Sequence, residues 1–211
     1  MTVTVVGQTH ATGTATGTEP SGTTTNDLMI GIAGTVDAGG IALPAGWTQI
    51  VAAAPGTYGT LRVAYIVRGG SAPSLVWVMN LNQTSIDIVT FRGNPPLSID
   101  ASAIQENGAS ATQPSPSVVC SATDSQLFVC ISAPASSNRT ITYPASATGQ
   151  YNNSAGVGDA GATRPVAAGA TGVTNWTISA ADIGWECVSV VVKDAGSGGG
   201  KVLLFNQLSR R

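Results

Sequence analysis

The sequence predicts an all-β protein, an antiparallel jelly-roll-like β-sandwich with an extended C-terminal tail. Short apolar stretches alternate with a period of two, which is the pattern of half-buried strands. Turns rich in Gly, Pro and Asn separate these stretches at regular spacing, and we find no amphipathic helix of three turns. A chain of 211 residues is within the range of a single sandwich, and no sharp sequence repeat is apparent.

Four segments follow one another along the chain. Residues 1–26 are an irregular lead-in with one short strand, and residues 27–193 form the jelly-roll sandwich. Strands are expected where β-branched and aromatic residues recur, at 27–33, 48–51, 61–68, 75–79, 86–91, 118–120, 127–131, 140–143, 173–178 and 184–192. The Gly/Ala/Ser-rich stretch 145–172 predicts a long loop with edge strands, and its residues 158–161 predict a turn.

The end of the chain differs from the rest in composition. Residues 194–200 form a Gly-rich linker, and residues 201–211 form an apolar and basic docking tail. An apolar segment must be buried somewhere, so the tail either folds back as a last strand or docks on a neighbouring subunit. The expected subunit-contact residues are Val202, Leu203, Leu204, Phe205, Leu208, Arg210 and Arg211.

Charged residues are scarce. They make up 9% of the chain, against about 25% in ordinary globular domains. A surface covered by Ser, Thr, Asn and Gly suits a protein held in an assembly, although composition bias alone would give the same figure. The net charge is −2 and the basic residues are scattered, which argues against nucleic acid as a partner.

The N-terminus lacks the basic and apolar regions of a signal peptide, and no stretch reaches the length of about 18 apolar residues that a membrane span needs. We therefore expect synthesis in a cytoplasm and no membrane partner.

No enzyme active site, metal site or cofactor site is predicted. The single histidine, His10, lies in the lead-in and has no accompanying nucleophile motif, so we interpret it as exposed or incidentally packed. The eleven acidic residues are spread thinly, and by strand parity Asp87 and Glu186 face away from their apolar neighbours. Cys120, Cys130 and Cys187 lie in apolar stretches, where buried free thiols are expected, although a disulfide within or between chains stays open.

Carbohydrate is a conceivable ligand because it requires an exposed aromatic platform. Trp47, Trp77, Trp176 and Trp185 are the candidates, but their apolar strand neighbours favour core packing for each.

Residues 26–100 contain a succession of strand, Pro-x-Gly-Trp turn, strand, Pro-Ser strand and aromatic-Arg-Gly. The segments that carry it are 26–32, 43–48, 61–67, 73–78, 88–93 and 99–100. This succession resembles the jelly-roll structural and decoration domains of tailed-bacteriophage virions. The second half of the chain shares the general alternation of strands and turns but not this succession of motifs.

The resemblance implies a virion protein, and a capsid decoration (cement) protein above all, that binds the shell through loops and termini. Its partners would be the major capsid protein or other virion proteins and further copies of itself, without a cofactor. The alternative is a carbohydrate- or receptor-binding domain of a head fibre or tail appendage. The resemblance carries over no catalytic residues.

Overall fold

The computed structural model describes residues 2–36, 40–52, 59–80, 83–133, 139–153, 158–181 and 185–194. Within these ranges the chain is built from strands, and the prediction of an antiparallel all-β sandwich is confirmed. No helix in these ranges has the length and apolar character to cross a membrane.

The first half of the chain forms one five-stranded antiparallel sheet, called sheet one. Its strands are β1 (Thr4–Thr12), β2 (Leu28–Thr35), β3 (Thr48–Ala52), β4 (Thr60–Val67) and β5 (Thr84–Arg92). They lie side by side in the order β1-β5-β2-β4-β3. Strand β1 is nine residues long and pairs with β5 along most of its length, so much of the lead-in belongs to the sandwich.

The second half forms sheet two, which is also five-stranded and antiparallel, and two smaller sheets. The ten strands of this half are β6 (Leu97–Asn107), β7 (Thr112–Ser115), β8 (Val119–Cys120), β9 (Ser125–Ala133), β10 (Ile141–Thr142), β11 (Thr148–Asn153), β12 (Gly158–Val166), β13 (Gly169–Ala170), β14 (Thr174–Ile178) and β15 (Trp185–Asp194). Sheet two has the order β11-β12-β9-β15-β6, β10-β14-β7 form an outer sheet, and β8 pairs with β13. Residues 158–161 therefore lie in a strand and not in the predicted turn.

The two five-stranded sheets face each other with their strand orders opposed. Strand β1 contacts β11 at one side of the sandwich, and β3 contacts β6 at the other. The interior between them is apolar and includes an edge-to-face pair, Phe91 from sheet one and Phe128 from sheet two, with ring centroids 6.1 Å apart. Each sheet comes from one half of the chain, whereas a jelly roll is wound from Greek keys.

The two halves share one topology. Read from β1, sheet one has the order β1-β5-β2-β4-β3, and sheet two read from β6 has the matching order β6-β15-β9-β12-β11. Both sheets also carry β-bulges at matching places. In the first strand of each, one extra residue interrupts the pairing, at Val6 in β1 and at Asp100 in β6. In the third strand of each sheet along the chain, the extra residues are Ile50 in β3 and Gln150 in β11.

Because bulges are specific features of a strand pair, their coincidence fixes which positions of the two sheets correspond. Phe91 corresponds to Val192, Leu28 to Gln126 and Val63 to Gly161. The chain is therefore a structural duplication that the sequence inspection did not detect, since few side chains are shared at corresponding positions.

Each half also covers the outer face of its own sheet. Over sheet one, Trp47 and Trp77 pack with ring centroids 5.8 Å apart, against Met29, Ile86 and Ile88. Over sheet two, Trp176 of β14 packs with Tyr143 and against the outward residues of β9 and β15. Both faces of the central strands are consequently buried, and β2 and β5 read as nearly continuous buried runs.

Gly31 in β2 lies directly beneath the two tryptophan rings. A Cβ atom placed there would be 2.7 Å from Cζ2 of Trp77 and 2.9 Å from Cζ3 of Trp47. Residues 75–79, predicted as a strand, make only isolated bridges through Val76 and Val78. Trp77, between them, is buried against sheet one.

Candidate functional site

A hydrogen-bonded pair of titratable side chains lies on the inner face of sheet one. His10 of β1 and Asp87 of β5 are direct cross-strand partners, and the distance from His10 Nδ1 to Asp87 Oδ1 is 2.6 Å. The Asp87 side chain is fully buried, whereas the His10 side chain is 28% exposed. The pair therefore connects the sandwich interior with the surface at the β1 edge.

A second buried carboxyl, that of Asp159, meets this pair from the opposite sheet. Asp159 is on β12 of sheet two and is 1% exposed. One ligand atom from each of His10, Asp87 and Asp159 lies within 4.8 Å of the other two. These three residues, called here the acidic cluster, thus join sheet one to sheet two through polar groups.

The acidic cluster contains polar atoms whose hydrogen bonding is not satisfied by the described residues. Oδ2 of Asp87 and both carboxyl oxygens of Asp159 are buried and have no hydrogen-bond partner there. The same is true of the Tyr151 hydroxyl and of Ser132 Oγ, the latter on the residue paired with Asp159 across β9 and β12. Buried polar atoms are nearly always satisfied in native proteins, so such a concentration calls for an additional group.

Burial disfavours the charged form of both carboxyls. It raises the pKa of Asp87 to about 8, even though the close contact with the Asp159 carboxyl acts to lower it. Burial also raises the pKa of Asp159, and the neighbouring Asp87 charge raises it further. Because the two carboxyls lie close together, their titrations are coupled.

The duplication provides an internal comparison for the acidic cluster. The positions of sheet two that correspond to His10 and Asp87 are occupied by Ile104 and Val188, which are likewise direct cross-strand partners. The position of sheet one that corresponds to Asp159 is occupied by Leu61. All three pack in or against the apolar core. The fold thus accepts apolar residues at these positions and does not require the acids.

A further buried acid lies on the same inner face of sheet two. Glu186 of β15 is 2% exposed, and its Oε2 has no hydrogen-bond partner among the described residues. Burial, together with the charge of its cross-strand partner Glu106, raises the pKa of Glu186 to about 8. Ser132 pairs with both Glu186 and Asp159, so polar residues continue across three strands at this level of the sandwich.

The sequence interpretation of these residues was incomplete. Asp87 does face away from Ile86 and Ile88, but the face it occupies is the sandwich interior and not solvent. The same correction applies to Glu186. His10 is exposed, as predicted, but its ring is hydrogen-bonded to Asp87 and so is not incidentally packed. The available signal was a polar residue inside a strand with apolar residues on both sides of it.

The other predicted residues have different outcomes. The subunit-contact residues Val202, Leu203, Leu204, Phe205, Leu208, Arg210 and Arg211 lie outside the described residues. The three cysteines are free and buried, as expected. Cys130 and Cys187 lie on adjacent strands but on opposite faces of sheet two, which prevents a bridge between them.

The tryptophans are all buried. Trp47 is 7% exposed, and Trp77, Trp176 and Trp185 are at most 1% exposed, so the prediction of core packing is confirmed. The indole N–H of Trp47 donates a hydrogen bond to Ser74 O at 2.8 Å, and that of Trp176 donates one to Ser115 Oγ at 2.9 Å. None of the four offers a platform on which a sugar ring could stack.

Most charges of the described residues are held within the molecule. Arg92 binds Asp27 through two hydrogen bonds of 2.8 and 2.6 Å. Lys193 binds Asp100 at 2.6 Å, and Arg68 binds Glu19 at 3.2 Å. Because other acids are buried, little net charge reaches solvent. Four valines, in contrast, are more than half exposed: Val76, Val78, Val119 and Val173.

Chemically, the acidic cluster can hold a proton or a cation, but its two carboxyls are sealed from solvent and cannot meet a large substrate. Comparison of the chain with protein-family models, curated proteins and solved structures gives no match.

Proposed function

We propose that the protein is a structural component of a tailed-bacteriophage virion, and specifically a decoration protein that binds the outer surface of the capsid. The observation that carries this proposal is the low charge on the surface of the described residues. Acidic and basic side chains pair with each other there, and four valines are exposed. The centres of protein interfaces are depleted in charge, whereas the surface of a monomer in solution depends on charge. The sequence resemblance of residues 26–100 points in the same direction.

The double sandwich suits such a role. Within the described residues, two five-stranded sheets enclose a largely apolar interior and each is covered on its outer face, which favours a rigid body. A decoration protein needs rigidity, because it must match a fixed lattice of subunits, and ordering a flexible partner costs binding free energy. The expected partners are the major capsid protein and neighbouring copies of this chain.

Carbohydrate binding has less support. A glycan-binding fibre domain would present an aromatic ring to solvent beside amide and guanidinium groups, and the tryptophans are all buried. We therefore propose that the protein binds other proteins of the virion and not a glycan.

The first test is co-sedimentation of the purified full chain with tailed-phage heads that lack the protein. We expect saturable binding at a fixed number of copies per head. A variant truncated after Asp194 should lose most of this binding, because the apolar tail 201–211 is the expected anchor on a neighbouring subunit. Unchanged binding by the truncated variant would remove the tail from the interface. The absence of binding by the full chain would contradict the decoration role, and a glycan array would follow.

A second measurement locates the surface within the described residues. Val76 and Val78 lie outside sheet one, and Val119 and Val173 belong to the second half. Val→Thr replacements preserve shape while adding a hydroxyl, so the two paired variants should keep their thermal stability. We expect one pair to weaken head binding by about tenfold, since burying hydroxyls without partners costs about 1–3 kcal/mol. If neither pair changed binding, the exposed valines would not be part of the interface.

A further inference from the structure

The acidic cluster has the composition of a metal site. It offers one imidazole and two carboxylates, with a donor atom of each within 4.8 Å of the others. Mixed nitrogen and oxygen donors suit divalent transition metals such as Zn²⁺, Mn²⁺ and Co²⁺, whereas Ca²⁺ prefers oxygen ligands alone. The side chains come from β1, β5 and β12, so an ion bound there would link the two sheets.

Independent evidence for a ligand comes from the unsatisfied atoms around the cluster. Both oxygens of Asp159 are buried and make no hydrogen bond of normal geometry with the described residues, although this carboxyl lies beside Asp87, Ser85 and His10. The Tyr151 hydroxyl is also buried without a partner there, and the Tyr151 ring packs over Gly161, two residues from Asp159 on the same face of β12. A cation would provide the missing partner for these lone pairs.

Charge balance leads to the same conclusion. Two ionised carboxylates buried together without compensation are strongly disfavoured. A divalent cation with two carboxylates and a neutral imidazole forms a neutral unit. A bound ion would replace the hydrogen bond between His10 and Asp87, and the His10 side chain is 28% exposed.

The duplication shows that the acids are not needed for folding. The corresponding positions hold Ile104, Val188 and Leu61 in an otherwise matching framework. Replacing those apolar groups by three ionisable groups has a cost, and a bound ion would offset it.

We propose that His10, Asp87 and Asp159 form a binding site for one divalent transition-metal ion that fastens sheet one to sheet two. This site is distinct from the proposed capsid contact and would be present whether or not the protein decorates a capsid.

The test uses the chelator-treated full chain titrated at pH 7.5 with Mn²⁺ by calorimetry and with Co²⁺ by visible absorption. We expect one ion per chain, a Co²⁺ spectrum without a thiolate charge-transfer band, and a rise in the melting temperature of several degrees with the ion in excess. Asp159→Asn should weaken binding at least tenfold. Glu186→Gln, which replaces a buried acid outside the cluster, should bind as the unmodified chain does.

The decisive variant copies the other half of the molecule. The triple replacement His10→Ile, Asp87→Val and Asp159→Leu should fold, because Ile104, Val188 and Leu61 pack at the corresponding positions, and it should lose the bound ion completely. Absence of saturable binding to the unmodified chain would overturn the proposal and leave a shared proton in the cluster. Retention of binding by the triple variant, or a thiolate band, would overturn it in favour of a site elsewhere.

Discussion

Replacing Glu186 by Gln is expected to leave the protein's stability nearly unchanged at pH 4.5 and to increase it by a few kcal/mol at pH 8. Glu186 keeps its proton in the folded state up to a pKa of about 8, against an ordinary value of 4.5. Between these two values unfolding releases the proton, so the free energy of unfolding falls as pH rises, by about 1.4 kcal/mol per pH unit. Gln has no proton to lose, so the free energy of unfolding of the variant lacks this part of the fall with rising pH.

The measurement is urea unfolding at pH 4.5, 6 and 8 in buffer that contains a chelator, so that cations do not contribute. Asp124→Asn, at an exposed acid, is the matched control and should leave the curve unchanged. If Glu186→Gln were equally destabilising at every pH, the carboxyl would be ionised and partnered in the folded protein, contrary to its burial beside Glu106.

Gly31→Ala is expected to destabilise the protein by about 3 kcal/mol, at the upper end of what overpacking a core typically costs. Gly31 lies at the centre of β2 between the rings of Trp47 and Trp77, both of which are held by surrounding side chains. A methyl group would force the rings away from the sheet. Thermal unfolding and tryptophan fluorescence would show the lower melting temperature and the displaced rings.

Two companions make this prediction specific. Gly108→Ala is the control, since a Cβ there meets no atom within 4 Å and should change stability little. Trp77→Phe removes the Cζ2 atom that the methyl group would strike, so Gly31→Ala should cost less in that background than in the unmodified chain. Additive effects of the two substitutions would mean that the contact between Gly31 and Trp77 is not the source of the strain.

The sequence predicted the class of the fold because alternating apolar residues and Gly/Pro turns are local signals. It located the central strands of both halves and predicted edge strands without bounds within 145–172, where β11 and β12 lie, but it missed β6. The Ser, Ala, Gly and Asn residues of these three strands carry little strand preference. Tertiary packing stabilises β11 and β12, because Gly149 and Gly161 leave room for the rings of Tyr143 and Tyr151 to pack over them. Burial of the tryptophans followed directly from their apolar neighbours.

The acidic cluster could not be predicted in the same way. His10, Asp87 and Asp159 are separated by more than seventy residues at each step, and only the opposed strand orders of the two sheets bring them together. Strand parity indicates which residues share a face but not whether that face is covered. A second layer on the outside of each sheet makes both faces interior, and this reverses the usual inference that a charged residue in a strand points to solvent.

The matched bulges and strand orders have a consequence for how such a site arises. If the two sheets came from two copies of one short chain, any residue placed at the contact would occur twice, and the partner of each Asp87 would be dictated by symmetry. A single continuous chain is free of that constraint. It can carry Asp159 on one side of the pseudo-symmetry axis and Leu61 on the other. Covalent joining of like halves therefore allows one specialised site beside an ordinary packed core.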